Sequence, residues 1–228
     1  MALAESLRLV LAPPHPAGRP FIAGGAVAAV LGLLVGAWLF WLGLAFALFC
    51  LYFFRDPERV PPERDSAVLA PADGHVVSIT TAVPPEELDL GDTPRWRVAI
   101  FLSVLDVHVN RAPVAGTVTR IAYRHGKFLS ANLDKASTDN ERNALAIRLD
   151  DGRDLAVVQI AGLIARRILC DVHEGGRVTA GGRFGIIRFG SRTDVYLPHG
   201  VVPTVAVGQT MIGGETVIAE LGEPALDL

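Results

Sequence analysis

The run from Phe21 to Phe54 carries no charged residue, and those 34 residues constrain the chain more than any other feature. As one helix the run would be roughly 51 Å long, at about 1.5 Å per residue. A bilayer core is about 30 Å thick and takes about 20 residues. Tilt absorbs only part of that excess. The run therefore predicts two short helices with a break near Gly36-Ala37-Trp38 or Trp41-Leu42-Gly43. Each would be a little short of a full span, giving a shallow hairpin. Arg8 and Arg19 precede the run and Arg55, Arg59 and Arg64 follow it, so positive flanks place both ends in the cytoplasm. The expected organisation is a cytoplasmic segment over 1–20, a membrane hairpin over 21–54 in the cell (inner) membrane, and a cytoplasmic domain over 55–228. The apolar run is too long for a cleavable signal peptide, and no small-residue cleavage site follows it. A buried pair of core helices is the competing reading.

From Pro61 onward the pattern changes to short β-branched runs between turn residues. They are Gly74–Ile79, Trp96–Leu102, Gly116–Ile121, Ala144–Leu149 and Asp154–Ile160. This spacing predicts a mainly β domain, a barrel-like sandwich of repeated hairpins with a few short helices. Asp150-Asp151-Gly152-Arg153 predicts a hairpin turn. The best helix signal in this part is around Ala161 to Ile168. A faint repeat links Ala70-Pro71-Ala72-Asp73-Gly74 with Ala112-Pro113-Val114-Ala115-Gly116, and a third copy with Thr179-Ala180-Gly181-Gly182. Each copy reads as a tight turn feeding a strand.

Composition narrows the partners. The net charge of -3 gives no basic field, so nucleic acid is not an expected partner. Mean hydropathy of +0.38 is high for a soluble chain, and the apolar run accounts for it. Cys50 and Cys170 are the only cysteines, which is no disulfide framework and fits a reducing compartment. Lys127 and Lys135 are the only lysines. Arginine gives planar, bidentate recognition of phosphate and carboxylate, although arginine-favouring codon usage explains the bias equally well.

Gly190-Ser191 lies in the apolar, strand-like run from Phe184 to Pro198. A Gly-Ser pair by itself reads as a turn. In a strand-like run, however, a hydroxyl directly after a glycine can attack the unhindered glycine carbonyl and convert the amide to an ester. β-Elimination and hydrolysis then leave a pyruvoyl group at a new chain start. Glycine suits that position because it tolerates strained backbone geometry. Among six histidines, His15 sits in a Pro-rich loop, and His75, His125, His173 and His199 sit beside glycines or in turns. His108 differs, because it follows an apolar strand within Asp106-Val107-His108-Val109-Asn110-Arg111-Ala112-Pro113. A polar cluster at a strand end is where a rigid scaffold presents catalytic groups, the alternative being a histidine satisfied by Asp106 or Asn110. No His-x-His, His-x-x-x-His or Cys-x-x-Cys pair supports a zinc site. No P-loop or dinucleotide fingerprint is present.

Several of these segments together resemble phosphatidylserine decarboxylase in its short, archaeal-type (type II) form. They are Phe53-Phe54-Arg55-Asp56-Pro57-Glu58-Arg59, Ala70-Pro71-Ala72-Asp73-Gly74, Asp106 to Pro113, and Phe189-Gly190-Ser191-Arg192. Gly126-Lys127-Phe128, Asp134 to Ser137 with Asn140-Glu141-Arg142, and Gln159 to Ile168 are also similar to that family. The resemblance covers about residues 20 to 220. It implies self-cleavage between Gly190 and Ser191 into a large chain and a small chain that stay together as a heterodimer. It also implies a pyruvoyl group derived from Ser191, with no metal and no pyridoxal phosphate. Longer members carry Leu-Gly-Ser-Thr at the cleavage point, where this chain has Phe189-Gly190-Ser191-Arg192. They also carry a second histidine three residues after the first, where this chain has Arg111. A guanidinium stays protonated and cannot be a base. The expectation is that His108 serves both cleavage and turnover, with Asp73 and Ser191 carried over from the family.

The implied reaction removes CO2 from the serine headgroup of phosphatidylserine through a Schiff base and yields phosphatidylethanolamine. The carbanion so formed needs an electron sink, which a pyruvoyl carbonyl supplies. His108 would return a proton to carbon and Asp73 would orient the imidazole. The lipid bilayer is then a partner as well as the source of substrate. Arg166 and Arg167 would bind the lipid phosphate or carboxylate, or else are surface arginines. Other serine-headgroup lipids stay open. A membrane-anchored adaptor needs a long heptad hairpin that is absent here, and a zinc peptidase needs the missing ligand pairs.

Overall fold

The computed structural model describes residues 12–126, 140–162, 167–188 and 190–222. The segments around Lys127 and Lys135, and the residues Arg166 and Phe189, lie outside the described residues. The chain divides into two compact units, Met1–Glu58 and Arg59–Leu228.

The first unit is a helical hairpin. Helices α1 (Arg19–Val35) and α2 (Ala37–Phe53) have 17 residues each, roughly 26 Å apiece. The break falls at Gly36, the first of the two expected places, where φ is +152° and only glycine is at ease. The helices approach closely through small residues. A β-carbon on Gly32 would collide with the backbone of Phe40, and one on Gly43 with the backbone of Ala29. At the open end, Pro14 and Arg55 form an antiparallel bridge. The His15 N–H donates to the Phe54 carbonyl at 2.7 Å and the Asp56 N–H to the Pro13 carbonyl at 3.0 Å. His15 is half-buried, and its Nδ1 accepts from the Ala17 N–H, so it caps a turn rather than projecting from a loop. Pro16–Val35 is long and apolar enough to cross a membrane by length and composition.

The second unit is mainly β, as the spacing of short strands predicts, with one 3-10 turn at Glu86–Leu88 among the described residues. Its strands are β1 (Ala67–Leu69), β2 (Gly74–Ala82), β3 (Arg95–Leu102), β4 (Val109–Arg111), β5 (Gly116–Arg124), β6 (Arg142–Arg148), β7 (Asp154–Ala161), β8 (Ile168–Cys170), β9 (Arg177–Val178), β10 (Arg183–Ile187), β11 (Ser191–Tyr196), β12 (Thr210–Met211) and β13 (Val217–Glu220). An eight-stranded sheet runs in the order β12-β2-β3-β11-β7-β6-β5-β9. Beside it lie a three-stranded sheet, β4-β10-β8, and the β1-β13 pair. Val98, Ile100, Leu145, Ile147, Val157, Val195 and Phe184 join one buried core. Each such side chain contributes about 1.5–3 kcal/mol on burial.

The large sheet is two similar halves joined across β11 and β7. Gly74 pairs with Met211 as Gly116 pairs with Val178. His75 faces Phe101 as Thr117 faces Arg148. Arg192 faces Phe101 as Asp154 faces Arg148. Register shifts fall at Val76/Ser78 in one half and at Val118/Arg120 in the other. This duplication explains the repeat. The repeated turns also interlock: the Leu69 N–H donates to the Pro113 carbonyl, Arg111 to Pro71, and Ala112 to Gly182.

Two sequence expectations change. The apolar run at Ala161 to Ile168 is not the expected helix at its ends, because Ala161 closes β7 opposite Ser191 and Ile168 opens β8. Residues 163–166 lie outside the described residues. The run from Phe184 to Pro198 is not one strand. It divides between β10 and β11, which belong to different sheets, and Gly190 stands at the corner with φ +69°. By the register above, Gly190 occupies the place that Gly152 (φ +87°) holds in the β6–β7 hairpin turn. One half of the duplication closes that turn directly, and the other opens it to admit residues 103–190.

Candidate active site

Ser191 is the first residue of β11 and is paired on both sides, with Leu102 of β3 and Ala161 of β7. It is fully buried, and its hydroxyl has no hydrogen-bond partner among the described residues. An unpartnered buried hydroxyl costs about 1–3 kcal/mol, and such a group calls for a physical reason.

His108 reaches Gly190 from the segment that leads into β4. It precedes β4 and is fully buried. Its Nδ1 lies 2.9 Å from the Asp106 carbonyl oxygen, which only a protonated Nδ1 can satisfy. That leaves Nε2 as an acceptor, and the Gly190 N–H donates to it at 3.2 Å. The loop holding the histidine is tied by Asp106, whose Oδ2 accepts from the Ser103 N–H at 2.7 Å. On the other side of the bond, the Gly162 N–H donates to the Gly190 carbonyl at 3.1 Å. A hydroxyl and a polarised carbonyl therefore flank the Gly190–Ser191 bond, and an imidazole acceptor holds the N–H of the peptide just before it. Sequence reasoning missed Gly162, since only the β7–β11 pairing brings it there.

The described bonds of Asp73 run elsewhere. Its Oδ2 accepts from Arg59 Nη2 at 2.7 Å and its Oδ1 from the Gly213 N–H at 2.8 Å. Asp73 immediately precedes β2, two strands from β11, so it lies roughly 10 Å from Ser191 by strand spacing, at the same end of the sheet. Arg111 is buried and donates to the Gly181 carbonyl at 2.9 Å, a structural bond between repeated turns. Arg167 is exposed, and its carbonyl accepts from the Arg188 N–H at 3.3 Å. Burial first, and Arg167 second, hold the Arg188 guanidinium below its usual pKa. Arg188 is a cation two residues before Gly190 that the sequence reading did not single out. His75, His125, His173 and His199 are exposed, His75 from within β2 and His199 from a turn.

The strand beyond Ser191 is anchored on its opposite face. Arg192 donates from Nε and Nη2 to the two Asp194 oxygens at 2.6 and 2.9 Å, with both residues buried. Arg97 of β3 lies 3.8 Å from Asp194. A cavity of about 660 Å³ lies at the other half's turn, against Leu149, Asp151 and Arg153. Its arginines are already ion-paired, Arg64 with Glu220 and Arg153 with Asp151, and it does not include Ser191 or His108.

The corner at Gly190 thus has the parts of a protein that carries out acyl transfer on its own backbone. The family model for phosphatidylserine decarboxylase matches residues 46–219. A phosphatidylserine decarboxylase proenzyme of Granulibacter bethesdensis is 73% identical over 97% of this chain and 91% of its own length. Proenzymes of the same name from Gluconacetobacter diazotrophicus and Gluconobacter oxydans are 66% and 61% identical, each over 97% of this chain and 100% of their own. The chain belongs to the phosphatidylserine decarboxylase family.

Proposed function

We propose that the chain is made as a precursor that cuts itself between Gly190 and Ser191, and that the cut protein decarboxylates phosphatidylserine to phosphatidylethanolamine and CO2. The observation that carries this reading is the buried, unpartnered Ser191 hydroxyl beside a glycine carbonyl already held by the Gly162 N–H. His108 Nε2 takes the hydroxyl proton as Oγ bonds to the Gly190 carbonyl carbon. The Gly162 N–H steadies the oxyanion. The C–N bond then breaks and its nitrogen gains the proton, leaving an ester and a free amine on residue 191. Loss of the residue 191 α-proton expels Gly190 as a carboxylate and leaves an unsaturated residue. Water enters, ammonia leaves, and residue 191 becomes a pyruvoyl group.

That group supplies a carbonyl that takes up the substrate amine and draws off the electron pair left by CO2. The residues fit it, since residue 191 is buried at a strand start and held on both sides by β3 and β7. Those pairings also support the two chains staying together after the cut. In turnover His108 holds the proton that returns to carbon, and Asp73 is the carboxylate assigned to orient the imidazole. Arg167 and Arg188 take the lipid phosphate or carboxylate. The helical hairpin anchors the protein in the cell membrane with both ends on the cytoplasmic face, supported by its joined ends and positive flanks.

The test is phosphatidylserine in detergent micelles with the purified protein and its Ser191→Ala variant. Phosphatidylethanolamine should form with the parent alone, and cyanoborohydride should attach the lipid amine to the 191–228 chain. Product formed by Ser191→Ala would overturn the reading.

A further inference from the structure

His108 leads into β4 and Gly190 into β11, strands of different sheets, so the distance between the two residues depends on the register of those sheets. A chain of buried amides lies beside them. Asn143 Nδ2 donates to Gln159 Oε1 at 2.9 Å, and Gln159 Nε2 donates to Asn110 Oδ1 at 2.7 Å. All three residues are at most 1% exposed. Because each amide has one acceptor and one donor end, Asn143 fixes the orientation of Gln159, and Gln159 that of Asn110. Asn110 is on β4 and Gln159 on β7, so the second bond crosses from one sheet to the other.

The placement relative to the reacting bond is close. The Ile187 N–H donates to the His108 carbonyl, which continues the β4–β10 ladder, so His108 and Asn110 lie on one side of the same extended segment. Gln159 is two residues before Ala161, the partner of Ser191, and faces Thr193. The crossing bonds His108–Gly190 and Asn110–Gln159 are therefore about one pleat, roughly 6.6 Å, apart. Asn110 Nδ2 and Thr193 Oγ1 are buried without partners among the described residues, like Ser191 Oγ. An apolar layer would avoid that cost, so polar groups kept at this depth need a reason other than packing.

We propose that Asn110 and Gln159 are positioning residues for self-cleavage, pinning β4 to β7 so that the His108 imidazole meets the Gly190–Ser191 bond. The proposal rests on His108 acting as the base.

The experiment follows the loss of full-length precursor after cell-free synthesis into detergent micelles. Asn110→Ala and Gln159→Met should each slow cleavage about tenfold to a hundredfold, the range expected for a displaced catalytic group. The double variant should be no slower than the slower single. Thr193→Val, which removes an unpartnered hydroxyl from the same layer, should cleave like the parent. Gln159→Glu is the sharper probe. A protonated glutamic acid can donate to Asn110 and accept from Asn143, whereas the carboxylate cannot donate. Its rate relative to the parent should therefore fall as pH rises from about 5 to about 9, burial setting the midpoint above the usual carboxylate range. Should the Ala and Met variants fail to fold, this ratio decides alone. Parental rates in folded variants, a ratio flat with pH, or equal slowing by Thr193→Val would each overturn the proposal. His108→Ala cleaving at the parental rate would instead sink the base assignment. A stalled His108→Ala with a flat Gln159→Glu ratio would sink only the positioning role.

Discussion

The Gly190 N–H donates to Nε2 of His108 at 3.2 Å, joining residues 82 apart in sequence. This bond puts an unprotonated imidazole nitrogen on Gly190, at the peptide immediately before the one that the chain is proposed to cut. Replacing His108 with alanine or glutamine should slow cleavage by about two to four orders of magnitude, the usual worth of a general base. Time-resolved gels of the fresh precursor give the rate. Cleavage at the parental rate in a folded His108→Ala protein would remove the histidine from the mechanism.

Asp73 can be separated from its partner Arg59. Both side chains are largely buried, at 19% and 7% exposure. Asp73→Ala and Arg59→Ala should each lower stability by about 1–3 kcal/mol, since each leaves the other group without that bond. Only Asp73→Ala should also slow cleavage beyond what the loss of stability explains. Thermal melts beside cleavage rates make the comparison, and equal cleavage by the two variants would leave Asp73 a structural residue.

Stability should depend on alkaline pH through Tyr123. Burial first, and its hydrogen bond to Glu141 at 2.6 Å second, push the Tyr123 hydroxyl up to about 12. In the unfolded chain it ionises near 10. Between those values the unfolded state binds fewer protons than the folded state, so stability present below pH 10 is lost as pH rises towards 12. Urea unfolding at stepped pH should show this decline, and Tyr123→Phe should flatten it. The ring is 45% exposed, so the change is modest.

The helical hairpin should place both its ends on one side of the membrane. Single cysteines introduced before Pro13 and after Glu58, in a background lacking Cys50 and Cys170, should react alike with an impermeant maleimide in inverted vesicles. Labelling of one end alone would mean a single span.

The parts of this structure governed by local pattern were readable in the sequence. The five expected strands start within two residues of those observed, because alternation and flanking turn residues act over a few residues. Gly36 as the hairpin break and the turn at Gly152 were likewise accessible. What was hidden depends on long-range pairing. Ala161 to Ile168 reads as a helix until Ser191 is known to lie opposite Ala161. Gly162 and the Asn143–Gln159–Asn110 amides have no motif of their own, and only the strand order brings them to the site. The faint Pro-x-x-Gly repeat was visible, but its meaning as a duplicated half-sheet required the register.

An intact mass of the purified protein under denaturing conditions tests the central claim most directly. The account expects two chains, 1–190 with a free carboxylate at Gly190 and 191–228 with a blocked pyruvoyl start. Ser191→Ala should give one chain. A single uncut chain in the parent protein, folded and stable over days, would contradict it.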